Sequence, residues 1–165
     1  MHIRLPAEWE HQSGVLLAWP HGHGDWLPQL GMVEPVYVEL VTWITRFEAV
    51  VIVCRDADHR GHIQSLLSDV PASAGKIIYC DIPTNDTWIR DYGPITVMAD
   101  GSPLLLDFAF NSWGNKYAWD KDNAATGRLH QAGLFGDTPM ETIKLVLEGG
   151  SIESDGRGTL LTTSQ

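Results

Sequence analysis

The chain has 165 residues, of which 44% are hydrophobic and 19% charged, and it carries a formal net charge of −10. That profile is globular: it supports a buried core, contains no low-complexity tract or internal repeat, and has no run near the roughly 18 apolar residues of a membrane span. The eleven Lys and Arg are scattered rather than striped, which excludes a phosphate-backbone binder and leaves no nucleic acid and no membrane as expected partners; the acid excess favours a cationic small molecule or simply keeps the protein soluble.

The opening stretch MHIRLPAEWE has no apolar signal region, so the expected location is cytoplasmic. Residues 15–19 (VLLAW) predict a short strand, followed by a loop rich in His, Gly and Pro that ends near Gly31. A helix is expected next, with Val36, Leu40, Ile44 and Phe47 on its inward face and Pro35 in the first turn, where proline is tolerated. Residues 49–54 (AVVIVC) form a β-branched run suited to a strand buried on both faces. Asp56 then caps a helix that turns Ile63, Leu66 and Leu67 inward.

Residues 76–82 predict another strand, leading into the loop sequence TNDTWIRDYGP. Residues 95–99 and 104–110 predict a hairpin around Asp100-Gly101. A polar and aromatic loop, FNSWGNKYAWDKDN, precedes a helix near residues 124–132. Strands are expected again at residues 143–147 and 159–163, with Asp155-Gly156 as a turn between them. Strands alternating with helices give an α/β fold. The last strand pattern stops close to Gln165 and leaves an uncapped sheet edge, a first sign of a shortened chain.

Three segments carry chemistry. In NDTWIRDYGP, Trp88, Arg90 and Asp91 fall on a loop after a strand end, where α/β proteins build sites. An aromatic face beside a carboxylate suits a guanidinium, which stacks on rings and offers parallel N–H donors; the competing reading is that the same residues only pair with neighbours and fill a hole. In LEGGSIESDGRGTLLTT, Glu148 precedes two glycines that admit a close backbone or ligand. It either orients a histidine or binds a cation, or it is an ordinary turn residue. FNSWGNKY either walls a pocket or connects elements.

Other groups are weaker. HGHGD (His21, His23, Asp25) has only a generic metal-ligand spacing, and His59 and His62 read as surface residues on a helix. No metal is expected. Cys54 and Cys80 form neither a disulfide framework nor a zinc pair. As nucleophiles they are disfavoured, Cys54 by burial and Cys80 by the adjacent Asp81.

Together PAEWE (residues 6–10), LAWP (17–20), NDTWIRDYGP, FNSWGNKY and LEGGSIESDGRGTLLTT resemble, in order, the agmatine deiminase and Porphyromonas-type peptidylarginine deiminase family of the guanidine-modifying superfamily. The resemblance spans essentially the whole chain but about the N-terminal half of the family's length. It implies a partial α/β propeller of pentein type, about two of five ββαβ modules, with residues 1–165 as the N-terminal part of a single deiminase domain. It also implies a mechanism in which a cysteine attacks the guanidinium carbon, ammonia leaves, and water hydrolyses the thiouronium, with no cofactor.

By that resemblance Trp88 packs on the substrate, Asp91 binds the guanidinium and Glu148 orients the catalytic histidine. The family's Gly-His-x-Asp segment and late Cys segment have no counterpart before Gln165. The expectation is therefore an agmatine deiminase-type hydrolase in the complete protein, with this chain an inactive fragment completed by a missing C-terminal half or by a homo-oligomeric partner. Two alternatives remain. One is a peptidyl- or free-arginine deiminase, which needs a site for an α-carboxylate and for which Arg90 and Arg128 are the candidates. The other is a non-catalytic guanidinium-binding module.

Overall fold

The computed structural model describes residues 2–72 and 76–163. The chain divides into two compact units, one continuous (Gln12–Ile89) and one made of Met1–His11 with Arg90–Gln165. The first strand, β1 (Ile3–Arg4), belongs to the split unit; the continuous unit holds β2 (Gly14–Ala18), α1 (Leu30–Ile44), β3 (Ala49–Cys54), α2 (Ala57–Leu66) and β4 (Ile77–Asp81).

In the continuous unit the strands form a parallel sheet in the order β2-β3-β4, with Val15 opposite Val50 and Ile52 opposite Tyr79. The β-branched run takes the central position that its sequence requires, with Val50, Ile52, Val53 and Cys54 all buried. Trp19, Val41, Ile63 and Leu67 complete the core. Asp56 caps α2 by accepting the His59 amide at 2.9 Å.

Helix α1 corrects the expected inward face. A 3-10 turn at Leu27–Gln29 runs directly into it, so the helix starts at Leu30 and Pro35 lies inside it. The hydrogen bond lost at Pro35 is the one to Gly31, in the helix's first turn, where the interruption is smallest. The inward residues are Tyr37, Val38, Val41 and Ile44 together with the acid Glu34, while Val36 and Leu40 are 54% and 41% exposed. Phe47 lies beyond the helix end and is 81% exposed. Of the expected face only Ile44 packs inward, because an acid on the buried stripe disguises its period.

The chain passes from one unit to the other at the helical turn α3 (Ile89–Tyr92). The split unit then contains β5 (Ile95–Ala99), β6 (Ser102–Ala109), the short turns α4 (Ser112–Asn115) and α5 (Asp120–Asn123), helix α6 (Ala125–Gln131), and strands β7 (Met140–Val146), β8 (Ile152–Ser154) and β9 (Leu160–Thr162). Its main sheet has the order β1-β5-β6-β7, antiparallel at the first two pairings and parallel at β6-β7; β8 and β9 form a separate antiparallel pair. The β5-β6 hairpin turns on Asp100 and Gly101, whose φ of +48° and +87° make the mirror-image turn that matches strand twist. Tyr92, Val97, Leu104, Leu105, Phe110, Ala125 and Leu129 are buried, and Thr126 donates from its hydroxyl to the Tyr92 carbonyl at 3.1 Å.

The architecture is thus α/β with mixed parallel and antiparallel sheets. Strand β1 was not expected from the sequence, being only two residues long. Helical turns also stand inside both segments read as loops, at Ile89–Tyr92 and within FNSWGNKYAWDKDN.

Candidate functional site

Asp91 sits in α3, and its carboxylate is held from two directions within the split unit. Oδ1 accepts the Gly150 amide at 3.0 Å, and Oδ2 accepts the Trp113 indole N–H at 3.2 Å. The glycines of the EGG segment form a 3-10 turn, Gly149–Ser151. A Cβ on Gly149 would collide with the Arg90 carbonyl oxygen, and one on Gly150 with Asp91 Oδ1. Glycine is therefore required here for close approach.

Glu148 precedes that turn in extended conformation, and its carbonyl accepts the Ser151 hydroxyl at 2.7 Å. Its carboxylate is half-buried and has no hydrogen-bond partner among the described residues. The fold thus brings the backbone of the EGG segment onto Asp91 and leaves the adjacent acid uncommitted. Arg90 is occupied: it pairs with Glu8 and donates to the Ile152 carbonyl at 3.3 Å. Those bonds tie PAEWE and β8 to α3 and weigh against Arg90 as an α-carboxylate receptor, while Arg128 lies exposed on α6.

The FNSWGNKY segment makes a left-handed turn in which Ser112, Trp113, Gly114 and Asn115 all have positive φ, at 51°, 53°, 85° and 62°. Asn111 stabilises it, accepting the Gly114 amide on its side chain at 3.0 Å and the Asn115 amide on its carbonyl at 2.6 Å. The Trp113 ring stands edge-on to Phe110 and Tyr117, with centroids 5.4 and 6.0 Å away. Trp113 was not singled out from the sequence, because only the left-handed backbone turns its indole toward Asp91.

Trp88 belongs to the continuous unit, where it is 53% exposed and tilted against Trp26 at 6.4 Å. Trp26 is anchored by donating its indole N–H to the Thr87 hydroxyl at 3.0 Å. An aromatic pair therefore leaves a large apolar face open beside the TNDTW segment. Trp26 escaped the sequence reading because it lies among the His and Gly of an irregular loop.

His59 and His62 both act as structural ties, His59 half-buried and His62 on the surface as expected. The His59 ring accepts the Arg55 amide on Nδ1 at 3.1 Å and donates from Nε2 to the Pro20 carbonyl at 3.1 Å. His62 Nε2 lies 2.7 Å from Glu34 Oε1, which also accepts the Trp19 indole N–H at 3.3 Å. His21 Nδ1 accepts the His23 amide at 3.2 Å. No group of three or more metal-ligating side chains is gathered among the described residues.

Neither cysteine is set up as a thiolate. Burial pushes the Cys54 thiol up to about 12, with Asp81 adding to the effect. Cys80 is also raised, first by burial and then by Asp81. Among the described residues no helix is long and apolar enough to cross a membrane.

Comparison with known proteins adds to this geometry. Residues 4–165 match the family model of the Porphyromonas-type peptidyl-arginine deiminases. The chain is 32% identical to the agmatine deiminase of Pseudomonas aeruginosa over 169 aligned positions, covering 99% of this chain and 44% of that protein. Among solved structures, a serine-for-cysteine variant of the C. jejuni agmatine deiminase with substrate bound superposes at a TM-score of 0.88 and 32% identity, covering 99% of this chain and 46% of that one. The agmatine deiminase of Enterococcus faecalis superposes at 0.81 with 27% identity, covering 97% and 43%. The chain thus spans less than half the length of these relatives.

Proposed function

Since the chain belongs to the Porphyromonas-type peptidyl-arginine deiminase family, we propose that the complete protein is a cytoplasmic guanidine hydrolase converting agmatine and water to N-carbamoylputrescine and ammonia. The observation that carries this reading is the fit, at a TM-score of 0.88 over 99% of the chain, to an agmatine deiminase solved with substrate bound. Residues 1–165 then form the N-terminal part of one deiminase domain, a partial propeller of pentein type with about two of five ββαβ modules. The mixed sheets are compatible with that assignment.

In this reading Trp88 packs on the substrate, Asp91 binds the guanidinium and Glu148 orients the catalytic histidine. Two features support the roles of the acids. Asp91 is fixed by neutral donors rather than neutralised by a cation, and Glu148 is free of partners among the described residues. In this reading the nucleophilic cysteine belongs to sequence other than these residues, because burial raises the thiols of both Cys54 and Cys80. The 165-residue chain on its own therefore holds a guanidinium weakly and does not hydrolyse it, since losing the nucleophile costs orders of magnitude in rate.

The experiment pairs binding with turnover. The chain is titrated with agmatine, arginine and putrescine by NMR, and ammonia release is measured for it and for C54A/C80A. The reading expects agmatine to bind better than putrescine, which lacks the guanidinium, and no ammonia from either protein. Ammonia release abolished in the double variant would overturn the assignment of the nucleophile. Equal binding of agmatine and putrescine would overturn guanidinium recognition.

A further inference from the structure

Four consecutive left-handed residues, three of them not glycine, are costly, at about 1–2 kcal/mol for each residue bearing a Cβ. Strain of this kind persists where the surroundings enforce it, and it concentrates at functional sites. Here the α4 turn places the Trp113 indole N–H 3.2 Å from Asp91 Oδ2, and Asn115 where it accepts the Trp119 indole N–H at 3.0 Å. The ring is fixed edge-on by Phe110, which is itself buried and packs on Tyr92, the neighbour of Asp91.

An ionised carboxylate has about four lone-pair sites, two on each oxygen. The Gly150 amide takes one on Oδ1 and the Trp113 indole takes one on Oδ2. One site on each oxygen remains, which is the number a guanidinium needs for two parallel N–H bonds. Neither donor carries charge, so the pair fixes the carboxylate plane without offsetting its charge. We propose that Trp113 is a positioning residue for guanidinium recognition, presented by the left-handed turn so that Asp91 keeps a bidentate face open. The inference rests on the assignment of Asp91 as the guanidinium-binding acid.

The test uses the isotopically labelled 165-residue chain, with agmatine and putrescine as probes and the variants W113F and D91N. W113F keeps an aromatic ring beside Phe110 and Tyr117 and removes the N–H together with part of the bicyclic ring. The expected result is an agmatine affinity lowered about tenfold in W113F, the scale of losing an orienting partner behind a ligating group. Putrescine affinity stays unchanged, which a merely structural role would not produce. D91N loses the preference for agmatine altogether. In the unaltered chain, agmatine shifts the Trp113 indole and Gly150 amide signals and putrescine does not, a readout independent of how W113F folds.

If D91N loses agmatine while W113F keeps full affinity, or the indole signal is silent while agmatine binds, the role of Trp113 is overturned and that of Asp91 stands. If the unaltered chain does not bind agmatine, or D91N binds it equally well, the assignment of Asp91 fails and the inference with it.

Discussion

The Gly150 amide donates to Asp91 Oδ1 at 3.0 Å from a position 59 residues later in the chain. Alanine at Gly150 would place its Cβ against that oxygen, so G150A displaces the carboxylate and breaks one of its two fixed hydrogen bonds, although the amide N–H itself is retained. Agmatine binding to the chain should fall in G150A with only a small loss of stability, because Gly150 itself is exposed. Gly149 is buried, and its Cβ would meet the Arg90 backbone carbonyl, which cannot swing away. G149A should therefore lower stability by about 1–3 kcal/mol, the usual cost of overpacking. Urea unfolding beside an agmatine titration separates the two variants.

How much of this was legible in the sequence depended on whether local chemistry or distant contact decided the outcome. The β3 strand, the Asp56 cap and the Asp100-Gly101 hairpin were readable because a β-branched run, a capping side chain and a turn dipeptide act within a few residues. The α1 face was not, because Glu34 occupies the buried stripe and is tolerated there only through Trp19 and His62, partners that the periodicity does not reveal. At the site, Asp91 and the EGG glycines stood out by residue type. That they touch, and that Trp113 completes the arrangement, depends on a tertiary approach and a left-handed backbone without a local signature.

Glu34 is the most consequential of the residues hidden in this way. Its Oε1 serves both Trp19 Nε1 and His62 Nε2, so removing the carboxylate leaves the indole N–H of a fully buried tryptophan without an acceptor. E34A should destabilise the chain by about 1–3 kcal/mol on that ground, with any cavity adding to it. E34Q retains an acceptor oxygen and should lose clearly less. Equal losses in chemical unfolding would show that packing rather than the hydrogen bond sets the cost.

Thiol reactivity gives an independent check on the site. With the Cys54 thiol pushed up to about 12 and the residue buried, its thiolate fraction at pH 8 is on the order of a thousandfold below that of a free cysteine. Alkylation by iodoacetamide should leave Cys54 unmodified under native conditions and label it fully in urea. Rapid native labelling, followed by mass spectrometry of the peptide, would contradict the buried placement.

His59 should set part of the acid limit of stability. Its Nδ1 accepts the Arg55 amide and its Nε2–H donates to the Pro20 carbonyl, so the neutral ring is fully engaged and a second proton would face an N–H. Burial holds its pKa below the ordinary histidine value, the Pro20 carbonyl opposes that shift, and His21, Asp56 and His62 supply the charged neighbours. A folded-state pKa below the unfolded one means the contribution is fully present above the unfolded pKa of about 6.5 and is lost as pH falls through the folded value. Stability measured by urea unfolding between pH 7.5 and pH 5, on the order of the window where histidines titrate, should decline more steeply in the unaltered chain than in H59Q. Parallel slopes would mean that the acid limit is set elsewhere.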